Sequence, residues 1–163
     1  VMRVLAKKLE PEKEKLYAMA GLLHDLDYEI IDQESHEGHG LKSVAILKEE
    51  EADLPDSVYQ TIKAHNYGNL GDKYKPQNLM DWSLFICDSL TGLIVATALV
   101  HPGKKISEVS VESVMKKFTQ PSFASGTRRE DIRLCEEKLG IPLKEFIEIS
   151  LKAMKEISED LGL

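Results

Sequence analysis

The sequence predicts an all-α fold, a single-domain helical bundle. Three observations point to it. Apolar residues recur at helical spacing through most of the chain, as at Leu16, Met19, Ala20 and Leu23. No stretch carries the alternation expected of a half-buried strand. Prolines and glycines fall mainly between the periodic stretches, where they start or stop helices. A length of 163 residues suits one domain with a real core. We read it as a ligand-bearing core over residues 1–100 and a helical tail over residues 101–163.

The elements follow in order. A short helix covers Val1 to Leu9, and its apolar pattern starts without a cap, as though a helix had begun earlier. Pro11 sits where a first-turn proline is tolerated, and a helix over Glu12 to Asp25 follows. Leu26 to Glu37 is acidic and irregular and is expected to be a loop. Gly38 to about Glu51 is helical. Pro55 opens a further helix to His65 or Asn66, with Val58, Ile62 and His65 on one side. Tyr67 to Gln77 holds Gly68, Gly71 and Pro76 and is expected to be a surface loop. Asn78 to Val100 is the long central helix, stopped by Pro102-Gly103. In the tail, Ser110 caps a helix to Phe118. Thr127 and Glu130 form a capping box for Arg128 to Leu139, which Gly140 ends. Leu143 to Leu161 is a last amphipathic helix with Phe146, Ile149, Met154 and Ile157 inward.

Composition narrows the function. Hydrophobic residues make up 42% and charged residues 30%, an ordinary globular balance. No apolar run reaches the roughly 18 to 20 residues of a membrane span, and the start, crowded with Lys and Glu, is no signal peptide. A membrane partner is therefore not expected, and a cytoplasmic location is. The net charge of -7 argues against general nucleic-acid binding. It leaves room for a small phosphorylated substrate in a locally cationic pocket. Cys87 and Cys135 are too few for a disulfide framework and read as buried free thiols.

Histidines and carboxylates carry the chemistry. His24-Asp25 closes an apolar helix, placing two groups that borderline and harder divalent metals accept side by side. A histidine at a helix C-terminus is also stabilised by the dipole alone. His39 starts the next helix, His65 lies near the end of the one after, and Asp88 stands in the most apolar helix. An isolated carboxylate there is costly to bury unless paired or metal-bound. Separate helices each offering one ligand group are what a metal site in a helical bundle requires.

The order His24-Asp25, His39, His65, Asp88 resembles the HD superfamily of metal-dependent phosphohydrolases. Ala20-Gly21-Leu22-Leu23-His24-Asp25 resembles its apolar helix ending in the HD pair. His39-Gly40-Leu41-Lys42-Ser43 and Ile62-Lys63-Ala64-His65-Asn66 resemble the two following ligand helices. The steps from His39 to His65 and on to Asp88 resemble the two-metal branch, which includes bacterial diadenosine tetraphosphate hydrolases. The tail resembles uncharacterised predicted HD hydrolases. The likeness covers roughly Val1 to Val100. Family members carry a further histidine on a helix before the HD pair. No histidine precedes His24 here, and the resemblance places that ligand upstream of Val1.

The resemblance implies that His24, Asp25 and Asp88 bind one metal and that Asp25 bridges to a second held by His39 and His65. One or two divalent ions are expected, of iron, manganese, cobalt, nickel or zinc, with magnesium less suited to several imidazoles. Two cations about 3.5–4 Å apart ionise a shared water near neutral pH, and no side-chain nucleophile is needed. The implied activity is hydrolysis of a phosphoester or phosphoanhydride of a small, nucleotide-like molecule. The alternative is a non-catalytic HD-fold module that binds metal or nucleotide for regulation. Asp25 and Asp27 are the candidate catalytic carboxylates, Asp27 either backing a ligand or assisting proton transfer. His36 reads as solvated surface and His101 as a partner of a helix C-terminus. Among Lys63, Lys104, Lys105, Arg128 and Arg129, the two arginines are the preferred phosphate contacts, because they stand at a helix N-terminus. Oligomeric state stays open.

Overall fold

The computed structural model describes residues 1–32 and 36–163. Among the described residues the chain is helical, with no strand. It divides into two compact units, Met2–Phe85 and Ile86–Leu163, the latter together with Val1.

In the first unit α1 (Met2–Leu9) buries Met2, Leu5 and Ala6 at i, i+3 and i+4 and packs on α2 (Glu14–Leu23). The contact is close: a Cβ on Gly21 would stand 2.7 Å from the Met2 side chain. A 3-10 turn at Pro11–Lys13 precedes α2, so the helix starts at Glu14. Its buried face is accordingly Tyr17 and Ala20, while Leu16, Met19 and Leu23 are only half-buried. The Tyr17 hydroxyl donates to Glu10 Oε2 at 2.8 Å, which satisfies its polar end in the core.

After α2 the chain runs through turns, and the part of the expected Leu26–Glu37 loop at residues 33–35 lies outside the described residues. Helix α3 (Leu41–Glu49) begins later than Gly38 because Gly40, at φ +81°, turns the backbone out of helical geometry. Both α2 and α3 pack on α4 (Asp56–Ala64), which follows Pro55 and buries Val58, Tyr59, Thr61, Ile62 and Ala64. The stretch expected to be a plain loop contains a short helix, α5 (Tyr67–Leu70), and a 3-10 turn at Asp72–Tyr74. Tyr67 anchors it, its ring centroid 4.8 Å from Phe85 and 6.2 Å from Trp82.

Helix α6 (Leu79–Leu99) supplies residues through Phe85 to the first unit and the rest to the second. At its start the buried Asp81 carboxylate accepts from Gln77 N and Asn78 Nδ2, both at 3.0 Å, and from the Thr61 hydroxyl. Among the described residues this is the one helix long and apolar enough to cross a membrane, with a mean hydropathy of 1.6. The sequence reading counted no apolar run of membrane length, whereas this helix passes by length and composition. Yet 61% of that window is buried, with Leu84, Phe85, Ile86, Leu90, Leu93 and Ile94 inside, as in a core helix.

The second unit centres on α9 (Leu143–Lys155), which packs on α7 (Val111–Phe118), α8 (Arg129–Leu139) and a 3-10 turn at Ile106–Glu108. Ser110 caps α7 as expected, in a reciprocal pair with Ser113 at 3.1 Å each way. The Thr127–Glu130 box does not form. Helix α8 begins one residue late, Arg128 occupies the cap position, and the Thr127 carbonyl accepts from Arg129 instead. Gly140 ends α8 in the left-handed conformation. The last helix stops at Lys155, and α10 (Ser158–Leu161) is a separate turn. Phe146, Ile147, Leu151 and Met154 therefore face inward, while Ile149 is half-buried and Ile157 is 45% exposed. Cys87 and Cys135 are free and buried, and burial pushes their thiols up to about 12 and about 11.

Candidate metal centre

The first unit gathers three of the expected ligand residues, all histidines, around the Asp25 carboxylate. His24 continues directly from the end of α2 in helical geometry, and Asp25 follows it. His39 precedes α3, and His65 closes α4. Asp25 Oδ2 stands 3.2 Å from His24 Nε2, and Asp25 Oδ1 stands 3.2 Å from His39 Nε2 and 3.7 Å from His65 Nε2. The two facing Nε2 atoms of His39 and His65 are 3.0 Å apart. One ligand atom each from His24, Asp25 and His65 falls within 4.8 Å of the others.

Gly40 makes this convergence possible. A Cβ there would lie 2.8 Å from the Ile62 carbonyl oxygen and 3.0 Å from His65 Cε1. Only a residue without a side chain lets the start of α3 approach the end of α4 so closely, and that approach sets His39 against His65.

The protonation of the rings follows from their other nitrogens. His24 Nδ1 donates to Gly21 O at 3.0 Å, and His65 Nδ1 donates to Ile62 O. A carbonyl oxygen can only accept, so both rings carry their proton on Nδ1. His39 Nδ1 donates to the Asp27 carboxylate at 2.8 Å. Each neutral ring thus presents an Nε2 lone pair toward Asp25. Lone pairs converging on an anion repel unless a cation, either a proton or a metal ion, stands among them. Two imidazole nitrogens each about 2.1 Å from one ion at right angles are separated by about 3 Å, the spacing found between His39 and His65. The donor set therefore fits a divalent transition metal.

The electrostatics agree. Burial would raise the Asp25 carboxyl, but with the rings protonated the hydrogen bonds of His24 and His39 and the charge of His24 and His65 hold it far below the usual carboxylate range. Burial would lower His39, but Asp25 and Asp27 outweigh it and raise this imidazole above its ordinary value. Both shifts describe a pocket that favours added positive charge. Its accessible side is Asp25, whose side chain is 42% exposed, whereas that of His65 is 1% exposed.

Asp27 is fully buried, and its Oδ2 accepts from Gly40 N at 2.8 Å and Ser43 N at 3.1 Å. It thereby caps α3, which has no side-chain cap of its own. Ser43 and Asn66 were not singled out from the sequence. The Ser43 hydroxyl donates to His24 O at 2.8 Å and accepts from Asp27 N at 3.1 Å. The buried Asn66 side chain donates to His39 O at 3.3 Å. A serine early in a helix and an asparagine after a histidine carry no local signal of such long-range bonds.

Asp88 stands on α6 within the second unit, half-buried, its carbonyl accepting from the Thr91 hydroxyl. The burial cost argued for it from sequence is therefore smaller than expected. The ring of His36 lies 6.0 Å from that of His39. His101, which follows the end of α6, pairs with Glu108 at 2.9 Å. The expected arginine phosphate site is otherwise engaged. Arg128 Nε pairs with Asp131 at 2.8 Å, and the Arg129 guanidinium donates to the carbonyls of Phe118 at 2.9 Å, Gln120 at 3.0 Å and Phe123.

No curated protein and no solved structure matches the chain. The profile of the HD domain matches residues 1–93, more than half of its length, and spans His24, Asp25, His39, His65 and Asp88. That match and the helical fold around the His24-Asp25 pair agree: the chain belongs to the HD domain family, whose members are in general metal-dependent hydrolases.

Proposed function

We propose that this protein hydrolyses a phosphoester or phosphoanhydride of a small, nucleotide-like molecule, using divalent metal held by His24, Asp25, His39 and His65. The observation that carries this reading is the convergence of three Nε2 lone pairs on the Asp25 carboxylate. A bound iron, manganese, cobalt, nickel or zinc ion would polarise a phosphoryl oxygen and lower the pKa of a coordinated water. The side chains do the rest. The three imidazoles, each anchored through Nδ1, hold their Nε2 atoms in fixed positions, so little reorganisation accompanies ion uptake. Asp25, ionised and partly exposed, supplies the negative charge that retains the cation beside solvent and substrate.

The test is metal content by elemental mass spectrometry, followed by phosphate release from a panel of nucleotides and dinucleoside polyphosphates. Bound transition metal is expected, with turnover that disappears on full chelation and in Asp25→Asn. Turnover surviving complete chelation would refute the reading, as would a chain that neither takes up metal nor turns over any substrate after reconstitution.

A further inference from the structure

The Asp27 carboxylate is the least expected part of the centre, because it touches no solvent and yet lies two residues from the cluster's open face. Its two oxygens do different work. Oδ2 takes the backbone N–H groups of Gly40 and Ser43, and Oδ1 takes Nδ1–H of His39. The Ser43 hydroxyl closes the loop by bonding both the Asp27 backbone N–H and the His24 carbonyl. The segment carrying the HD pair and the start of α3 are thereby joined through one carboxylate and one hydroxyl.

We propose that Asp27 is a positioning residue for metal capture. It holds the His39 ring with its proton on Nδ1, so that Nε2 offers a lone pair to the cluster. This rests on the metal-site reading above, and it replaces a direct part for Asp27 in proton transfer, since a fully buried carboxylate bonded to three donors is poorly placed to reach substrate. Of the three ring anchors at the centre, those of His24 and His65 are backbone carbonyls, which no substitution removes. The His39 anchor is a side chain, so here alone a substitution can change which nitrogen carries the proton.

Asp27→Asn tests this. The amide keeps one oxygen and gains an NH2 group. Gly40 N and Ser43 N both require an acceptor, so the oxygen stays with them and the NH2 faces His39 Nδ1. Two donors then meet, and the ring relieves the clash by moving its proton to Nε2, where Asp25 Oδ1 at 3.2 Å accepts it. A ligand lone pair becomes an N–H.

Nitrogen-15 NMR of the imidazoles in the metal-free protein, at a pH where the rings are neutral, reads this directly. Wild type is expected to carry the His39 proton on Nδ1 and Asp27→Asn to carry it on Nε2. Calorimetric titration with Co2+ is expected to show an affinity about 10- to 100-fold weaker in Asp27→Asn. A purely structural role would lower the melting temperature without moving the proton. The proposal is overturned if wild-type His39 carries its proton on Nε2, a result that stands even if the variant does not fold. It is equally overturned if Asp27→Asn folds, keeps the proton on Nδ1 and binds Co2+ as wild type does. A wild type that binds no Co2+ refutes the metal reading instead, while the NMR result still decides what Asp27 does to His39.

Discussion

Gly40→Ala tests the joint on which the centre is built. At φ +81° and ψ -36° the residue occupies backbone space that L side chains rarely adopt, and forcing an alanine there costs about 1–3 kcal/mol. The added Cβ would also stand 2.8 Å from the Ile62 carbonyl oxygen and 3.0 Å from the His65 ring. The carbonyl belongs to helix backbone and cannot swing away, so overpacking adds about 1–3 kcal/mol. The sum centres on about 4 kcal/mol, a large share of the roughly 5–15 kcal/mol that holds a domain folded. At about 2–4 °C per kcal/mol for a chain of this size, the melting temperature falls by roughly 10 °C. Circular dichroism melts of Gly40→Ala read this loss, with Gly71→Ala beside it as a positive-φ substitution without a clash. Gly71 shares the positive φ, at +87°, but has nothing within 4 Å of the added carbon, so it bears the backbone strain alone. Gly40→Ala melting within about 2 °C of wild type would refute the close-approach argument. Co2+ titration adds a second readout, because displacing the His65 ring should weaken binding.

Two further substitutions probe the rest of the fold. Gly92 lies exposed in the middle of α6 with open space around it, so Gly92→Ala is expected to stabilise by about 0.5–1 kcal/mol in denaturant titrations; a loss would show that the helix surface there is not free. Arg129→Ala strips donors from several carbonyls between α7 and α8 and is expected to cost roughly 2–3 kcal/mol. Arg129→Lys should recover only part of that, since an ammonium cannot fan its donors in one plane. Arg128→Ala loses a partly exposed ion pair and should stay within about 1 kcal/mol. Equal losses for the two alanine variants would remove the case for Arg129 as a structural tie.

Much of the fold could be read along the chain. The apolar spacing in α1, the proline before α4 and the serine cap of α7 are local signals, and each element begins within a residue or so of its expected place. The errors have non-local causes. Tyr67 orders part of an expected loop by packing on Phe85 and Trp82. Helix α8 starts one residue late, which puts Arg128 rather than Thr127 at the cap position, so the predicted capping box does not form. In the site, the candidate ligands were legible because His24, Asp25, His39 and His65 are residue types that bind metals. The engagement of Arg128 with Asp131 and of Arg129 with nearby carbonyls was not, since a guanidinium at a helix start gives no hint of those partners.

What the amino-acid order determined by itself is therefore helicity, family membership and the chemical kind of the candidate ligands, because helical period and side-chain type are properties of neighbours in sequence. Only the tertiary structure decided which nitrogen of each imidazole faces the cluster, why position 40 must be glycine, and that Asp27 stands behind His39. Those depend on atoms brought together from α2, α3 and α4, where a bond such as Gly40 N to Asp27 Oδ2 exists only once the helices have packed.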